Sequence, residues 1–142
     1  MANKKKRTEI PAPMFREHDI CGRYPEAFTD EIVAEIVAAL VDVLADENRR
    51  AKIIVGHDPG ERDTAMHESI KKQLSKEPLI EVLDAGGISI AMLYFLIDRE
   101  RASGGIIIMP EHGVPQHKSV RAMRSGGEVI SGTDISKRIK KK

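Results

Sequence analysis

Gly104-Gly105-Ile106-Ile107-Ile108-Met109-Pro110 opens on two glycines, runs through three isoleucines and a methionine, and stops at a proline. Four consecutive apolar residues between turn formers read as a buried central strand, because a strand covered on both faces loses the alternation of a half-exposed one. Upstream, Ser89 can cap a helix through Ala91-Met92-Leu93-Tyr94-Phe95-Leu96-Ile97. That helix is nearly apolar all round at its start and is expected to lie deep in the domain. Further back, Leu79 to Leu83 reads as a strand closing on Asp84-Ala85-Gly86-Gly87, and a helix from Thr64 to Ser75 is barred from continuing by Pro78. Lys52-Ile53-Ile54-Val55-Gly56 is another short β-branched strand. Before it, Ile32, Val33, Ile36, Val37, Leu40, Val41 and Leu44 recur at helical spacing over 29–46, with Thr29 as cap and Asp30 and Glu31 in the first turn. Strand and helix alternate, the pattern of parallel βαβ units with helices on both faces of one sheet. Downstream, Ser125-Gly126-Gly127 predicts a turn and then a short strand near Glu128–Ser131. Gly86-Gly87 and Gly104-Gly105 match no phosphate or dinucleotide fingerprint and read as turn glycines.

With 142 residues, 41% hydrophobic and 32% charged, the chain is sized for one soluble core. The single cysteine, Cys21, excludes an internal disulfide and a multi-cysteine zinc site. No run of apolar residues approaches a membrane span, and the N-terminal lysines lead into Thr8-Glu9-Ile10-Pro11 rather than a signal core, so a cytoplasmic location is expected. The formal charge of +1 conceals a division. Lys4, Lys5, Lys6 and Arg7 precede the body, and Lys137, Arg138, Lys140, Lys141 and Lys142 follow it, leaving 14 basic against 22 acidic residues between them. We divide the chain into a basic N-terminal tail (1–13), an α/β domain (14–135) and a basic C-terminal tail (136–142). Such tails can contact nucleic acid or anionic surfaces, but the acidic body and an aromatic content of 4% argue against nucleic acid as a partner.

Four segments, in order, resemble domain I of the α-D-phosphohexomutases, the phosphoglucomutase and phosphomannomutase superfamily. Phe15-Arg16-Glu17-His18-Asp19-Ile20-Cys21-Gly22 resembles that family's opening F-R-E-Y-D-I-R-G, and Ile54-Val55-Gly56-His57-Asp58 its V-V-G-R-D. Asp84-Ala85-Gly86 with Ala91-Met92-Leu93-Tyr94-Phe95 is similar to its D-L-G and P-T-P-M-L-Y-F, and Gly104 to Pro115 to its G-G-I-M-I-T-A-S-H-N-P-P. The resemblance implies a three-layer α/β/α sandwich with a mostly parallel, mixed sheet. It also implies that Glu111 and His112 stand at the catalytic phosphoserine loop, with Glu111 in place of the serine that carries the phosphoryl group and bridges to Mg²⁺. Arg16, Cys21, His57 and Asp58 fall at ligand-binding positions, with Cys21 and His57 replacing arginines.

These replacements bear on chemistry. A serine ester of phosphate is stable, whereas a glutamyl phosphate is a reactive acyl phosphate, and two permanent positive charges are gone. A fixed carboxylate can instead imitate part of the charge of phosphoserine. The resemblance thus implies a stand-alone, degenerate domain I, a binding or regulatory module for a phosphosugar by analogy. The alternatives are a split mutase completed in trans and a basic-tailed adaptor. No cofactor is expected for the isolated chain, and Mg²⁺ only in an assembled mutase. His18, Cys21, His57, Asp58 and His112 could gather as zinc ligands, but their spacing is no recognised metal motif and none is predicted. The surface that a following domain would meet calls for a cover, so a homodimer or a related multidomain mutase is the expected partner.

Overall fold

The Thr29 hydroxyl accepts from the Ile32 amide at 3.3 Å and starts helix α1 (Asp30–Leu44), whose buried side includes Ile32, Ile36, Leu40 and Leu44. The computed structural model describes residues 14–45, 50–61, 64–111 and 114–140. Strand β1 (Ile20–Arg23) precedes α1, and β2 (Ala51–His57), α2 (Ala65–Ser75), β3 (Ile80–Gly87), α3 (Ile90–Arg99), β4 (Gly104–Pro110), β5 (His117–Arg124) and α4 (Gly132–Lys140) follow. The five strands form one sheet in the order β1-β5-β4-β2-β3. β2 pairs in parallel with β3 and β4, whereas β5 runs antiparallel to β4 and β1.

The isoleucine run of β4 is the middle of this sheet, as its composition predicts. Alternate side chains point to opposite faces of a strand. Ile106 and Ile108 join the core built by α1 and α2, while Ile107 joins Leu93 and Ile97 of α3 beneath the other face. Each such isoleucine is essentially inaccessible to solvent and contributes about 1.5–3 kcal/mol of burial. The result is the three-layer α/β/α sandwich with a mostly parallel, mixed sheet. No helix among the described residues is long and apolar enough to cross a membrane.

Three local expectations are corrected. α3 does not lie deep: only Leu93 and Ile97 are buried, because it covers its face of the sheet alone and turns Met92 and Phe95 outward. The segment near Glu128–Ser131 forms no strand, contributing one bridge from Val129 to Met123; the strand after the β4 loop is β5. Gly104 and Gly105 are strand residues. A Cβ on Gly104 would lie 2.3 Å from the Met123 carbonyl oxygen, and one on Gly105 2.7 Å from Leu93, so both glycines serve close packing rather than a turn. Apart from these three, α4 runs into the C-terminal basic stretch and takes in Lys137 and Arg138.

Candidate functional site

Glu111 follows β4 directly, and its amide donates to the His117 carbonyl across the loop that leads into β5. This places its carboxylate at the carboxyl end of a central strand, where open α/β sheets gather their sites. The residue that meets it comes from the edge of the sheet, two strands away. Arg16, in the segment entering edge strand β1, reaches Glu111 at 3.2–3.4 Å through both terminal nitrogens. The same guanidinium grips Asp19 in bidentate fashion, Nε to Oδ1 at 2.6 Å and Nη2 to Oδ2 at 2.5 Å. Asp19 is buried and also accepts from Ser119 of β5 at 2.5 Å. Burial alone would raise the Asp19 carboxyl, but Arg16 and Ser119 outweigh it and leave it lowered. The two carboxylates raise the guanidinium further above its usual range, so Arg16 is a permanent cation between two anions.

Cys21 sits in β1 opposite Ser119. Burial pushes its thiol up; Arg16 pulls it down and Glu111 pushes it up again, leaving a net rise that disfavours the thiolate. The structure therefore brings Arg16, Cys21 and Glu111 together. His57 ends β2 with its ring edge-on to His67 at 5.0 Å, Asp58 follows it, and the polar side-chain atoms of both find local partners among the described residues. The His57 Nδ1 faces the Asp58 carbonyl at 3.0 Å, and the Asp58 carboxylate accepts from the Gly60 amide at 2.8 Å. His112, expected in the catalytic pair, lies outside the described residues.

Beside Glu111 opens a cleft of about 560 Å³ lined by Tyr24, Glu61, Val114, Pro115, His117 and Lys118, among others. Lys118, a cation that sequence reasoning missed, is buried on β5 with its Nζ 3.0 Å from Glu61 and 4.1 Å from the centre of the Tyr24 ring. Nothing local announces it, because both partners are remote in sequence. Asp19 belongs to the Phe15–Gly22 segment, and its spacing of three from Arg16 is the sequence signal for that pair.

Magnesium binding requires open oxygen ligands, typically one or two carboxylates and a phosphate. Here the Glu111 oxygens face a guanidinium and both Asp19 oxygens are taken, so the described donor set is an ion-pair network and does not fit the ion. The His/Cys/Asp zinc grouping does not assemble among the described residues either. The ligand-type side chains that converge there are His67, Glu68 and Asp84. Their charge is met by Lys71, 2.7 Å from Asp84 and 3.2 Å from Glu68.

The family model described as phosphoglucomutase/phosphomannomutase, alpha/beta/alpha domain I, matches residues 12–142. The chain belongs to this family. Phosphohexose mutases of Xanthomonas campestris are 26% identical to this phosphohexomutase domain I over 119 residues, covering 84% of it and 25% of the relative. A phosphoglucomutase of Neisseria gonorrhoeae is 28% identical over 126 residues, covering 89% of the chain and 27% of its own length. Among solved structures, a family protein from Burkholderia thailandensis superposes with a TM-score of 0.77 at 17% identity, covering 94% of this domain and 31% of that chain. A Thermus thermophilus protein assigned as a phosphomannomutase gives 0.71 at 18% identity, covering 89% and 29%. At that identity these two show the fold alone. The domain spans about a quarter of the curated relatives it matches.

Proposed function

We propose that this phosphohexomutase domain I is a non-catalytic binding or regulatory module in which the Glu111 carboxylate permanently fills the anionic position of the phosphoserine loop. The observation that carries this reading is the contact of Arg16 with Glu111 at 3.2–3.4 Å. A relay needs a nucleophile that accepts and returns a phosphoryl group. Glu111 is instead a weakly nucleophilic carboxylate neutralised by the cation that a transferred phosphoryl group would need. The ligand class we assign by analogy with the relatives is a phosphosugar, and the location we assign is the cytoplasm, in line with the single unpaired cysteine.

A second reading, by analogy with the relatives, is one part of a mutase completed in trans, with Mg²⁺ supplied only in that assembly. The nucleic-acid adaptor reading has no comparable support. The test is the purified chain with glucose 1-phosphate or mannose 1-phosphate, Mg²⁺ and the hexose bisphosphate. We expect no isomer exchange and no ³²P retained on the protein. Turnover that Glu111→Ala abolishes would overturn the proposal, and turnover appearing only with an added polypeptide would favour the trans assembly.

A further inference from the structure

α3 covers the second face of the sheet by itself, and its outer side mixes apolar residues with the charges of its last turn, where the Arg99 guanidinium stands 6.0 Å from the centre of the Phe95 ring. Met92 and Phe95, three residues apart and so stacked on one stripe, stay 45% and 54% exposed. Lone exposed apolar residues need no explanation, but a stripe on an unpartnered helix does. Two unspent charges accompany it. The Arg121 guanidinium on β5 has no hydrogen-bond or ion-pair partner among the described residues although its Nε is buried, and only its field reaches Asp19. A buried donor left unmatched costs stability until an acceptor arrives. Asp98 on α3 is exposed, and its carboxylate likewise makes no bond among the described residues.

These charges stand toward opposite ends of the helix. Leu93 and Ile97 rest over Gly105, and Arg121 pairs in register with Ile107, two residues further along β4. α3 runs back from the end of β3 to the start of β4, so that direction leads toward its amino end. Asp98 belongs to its last turn. The first turn, capped by the Ser89 hydroxyl at 3.1 Å from the Met92 amide, carries no acidic residue, so a carboxylate brought to it would meet the positive end of the helix dipole.

We infer that α3 is a self-docking surface, on which a second copy of this chain lays its own α3 antiparallel, with Met92 and Phe95 of both copies at the two-fold axis and Asp98 of each approaching Arg121 of the other. A two-fold interface demands a patch that complements itself, residue i meeting j while j meets i. Antiparallel crossing supplies this, since it carries each acid to the end that holds the unmatched guanidinium. Parallel crossing would set acid beside acid. A partner of uniform charge would satisfy one of the two groups and repel the other. With a net charge of +1, the chain raises little long-range barrier to meeting its copy. This inference is independent of what Glu111 does.

Sedimentation velocity on the full chain from micromolar to near-millimolar concentration tests it. A dimer is expected, with Phe95→Glu and Asp98→Arg each weakening it by at least about tenfold while circular dichroism stays unchanged. Asp98→Arg combined with Arg121→Glu should restore association. If Arg121→Glu does not fold, Asp98→Asn and Arg121→Met in a double-mutant cycle should show coupling in the dimer dissociation constant. A monomer at every concentration overturns the inference, and so does a dimer indifferent to Phe95→Glu. A dimer sensitive to Phe95→Glu but showing neither restoration nor coupling overturns the antiparallel pairing.

Discussion

Lys118 and Glu61 form an ion pair at 3.0 Å with side chains only 8% and 9% exposed, and the Tyr24 ring covers the ammonium at 4.1 Å. Such a pair gains little net stability, because desolvating both charges offsets most of their attraction. Breaking it is another matter. One Glu61 oxygen already lacks a partner among the described residues, so removing Lys118 strands the whole carboxylate. We expect Lys118→Met to destabilise the domain by about 3–5 kcal/mol. The double variant Lys118→Met with Glu61→Gln should recover more than half of that loss. Urea unfolding of the four members of the cycle reads both quantities, and additive losses would refute the pairing.

The acid limb of stability follows from Asp19 and Asp84. Burial raises the Asp19 carboxyl, but Arg16 and Ser119 leave it below the ordinary value of 3.8. For Asp84, partial burial is likewise outweighed, by Lys71, the Gly86 amide and His67, and the carboxyl falls to about 2. Both folded values lie below the unfolded ones. Their stabilisation is therefore present above about pH 3.8 and drains below it, for Asp84 as the pH falls toward about 2. Asp84 is solvated enough that its share is small. Chemical denaturation between pH 2 and 6 should show a falling limb that Asp19→Asn flattens more than Asp84→Asn does, with Asp19→Asn costing about 1.5–3 kcal/mol per lost charged hydrogen bond at neutral pH. Equal flattening would place the acid sensitivity elsewhere.

Cys21 should be a slow nucleophile. Burial pushes its thiol above the ordinary 9.0, Arg16 opposes this, and Glu111 adds to it. Alkylation by iodoacetamide near neutral pH is therefore expected to lag a free thiol, with its rate midpoint displaced upward. Removing the Glu111 charge takes away one cause of the rise, so Glu111→Gln should move that midpoint down and speed the reaction. A midpoint unaffected by Glu111→Gln would separate the two side chains electrostatically.

What the sequence made legible was whatever is decided locally. The Thr29 cap and the stripe from Ile32 to Leu44 define α1 without reference to anything else, and the structure reproduces them within a residue or two. The isoleucine run of β4 carried its own burial signal. β5 did not, because His117-Lys118-Ser119-Val120-Arg121 mixes charges into a strand whose buried polar members depend on Glu61 and Asp19. The spacing of α3 fixed that it is a helix and not how much of it would be covered, since that depends on how many helices the topology sends to its face. At the site, the resemblance drew attention to Arg16 and Glu111 separately. Their contact spans 95 positions and became visible only once β1, β5 and β4 lay side by side.

The strongest test of the Glu111 reading uses the difference between the two grips of Arg16. Its bonds to Asp19 are 2.5–2.6 Å long, whereas those to Glu111 are 3.2–3.4 Å, so Glu111 holds the more displaceable edge of the guanidinium. A phosphate arriving at the site must displace that carboxylate and bear its repulsion. Removing the carboxylate uncovers a preformed fork already oriented by Asp19, which suits a phosphate in bidentate geometry. Glu111→Ala is therefore expected to bind inorganic phosphate or glucose 1-phosphate at least about tenfold more tightly than the natural chain, a gain of about 1.4 kcal/mol. Glu111→Gln should fall between them, since it removes the charge and keeps the bulk. Titration calorimetry at low ionic strength measures all three, and the gain should shrink as salt screens the exposed guanidinium. If Arg16→Met in the Glu111→Ala background leaves phosphate affinity unchanged, the anion is held elsewhere and Glu111 does not occupy its place.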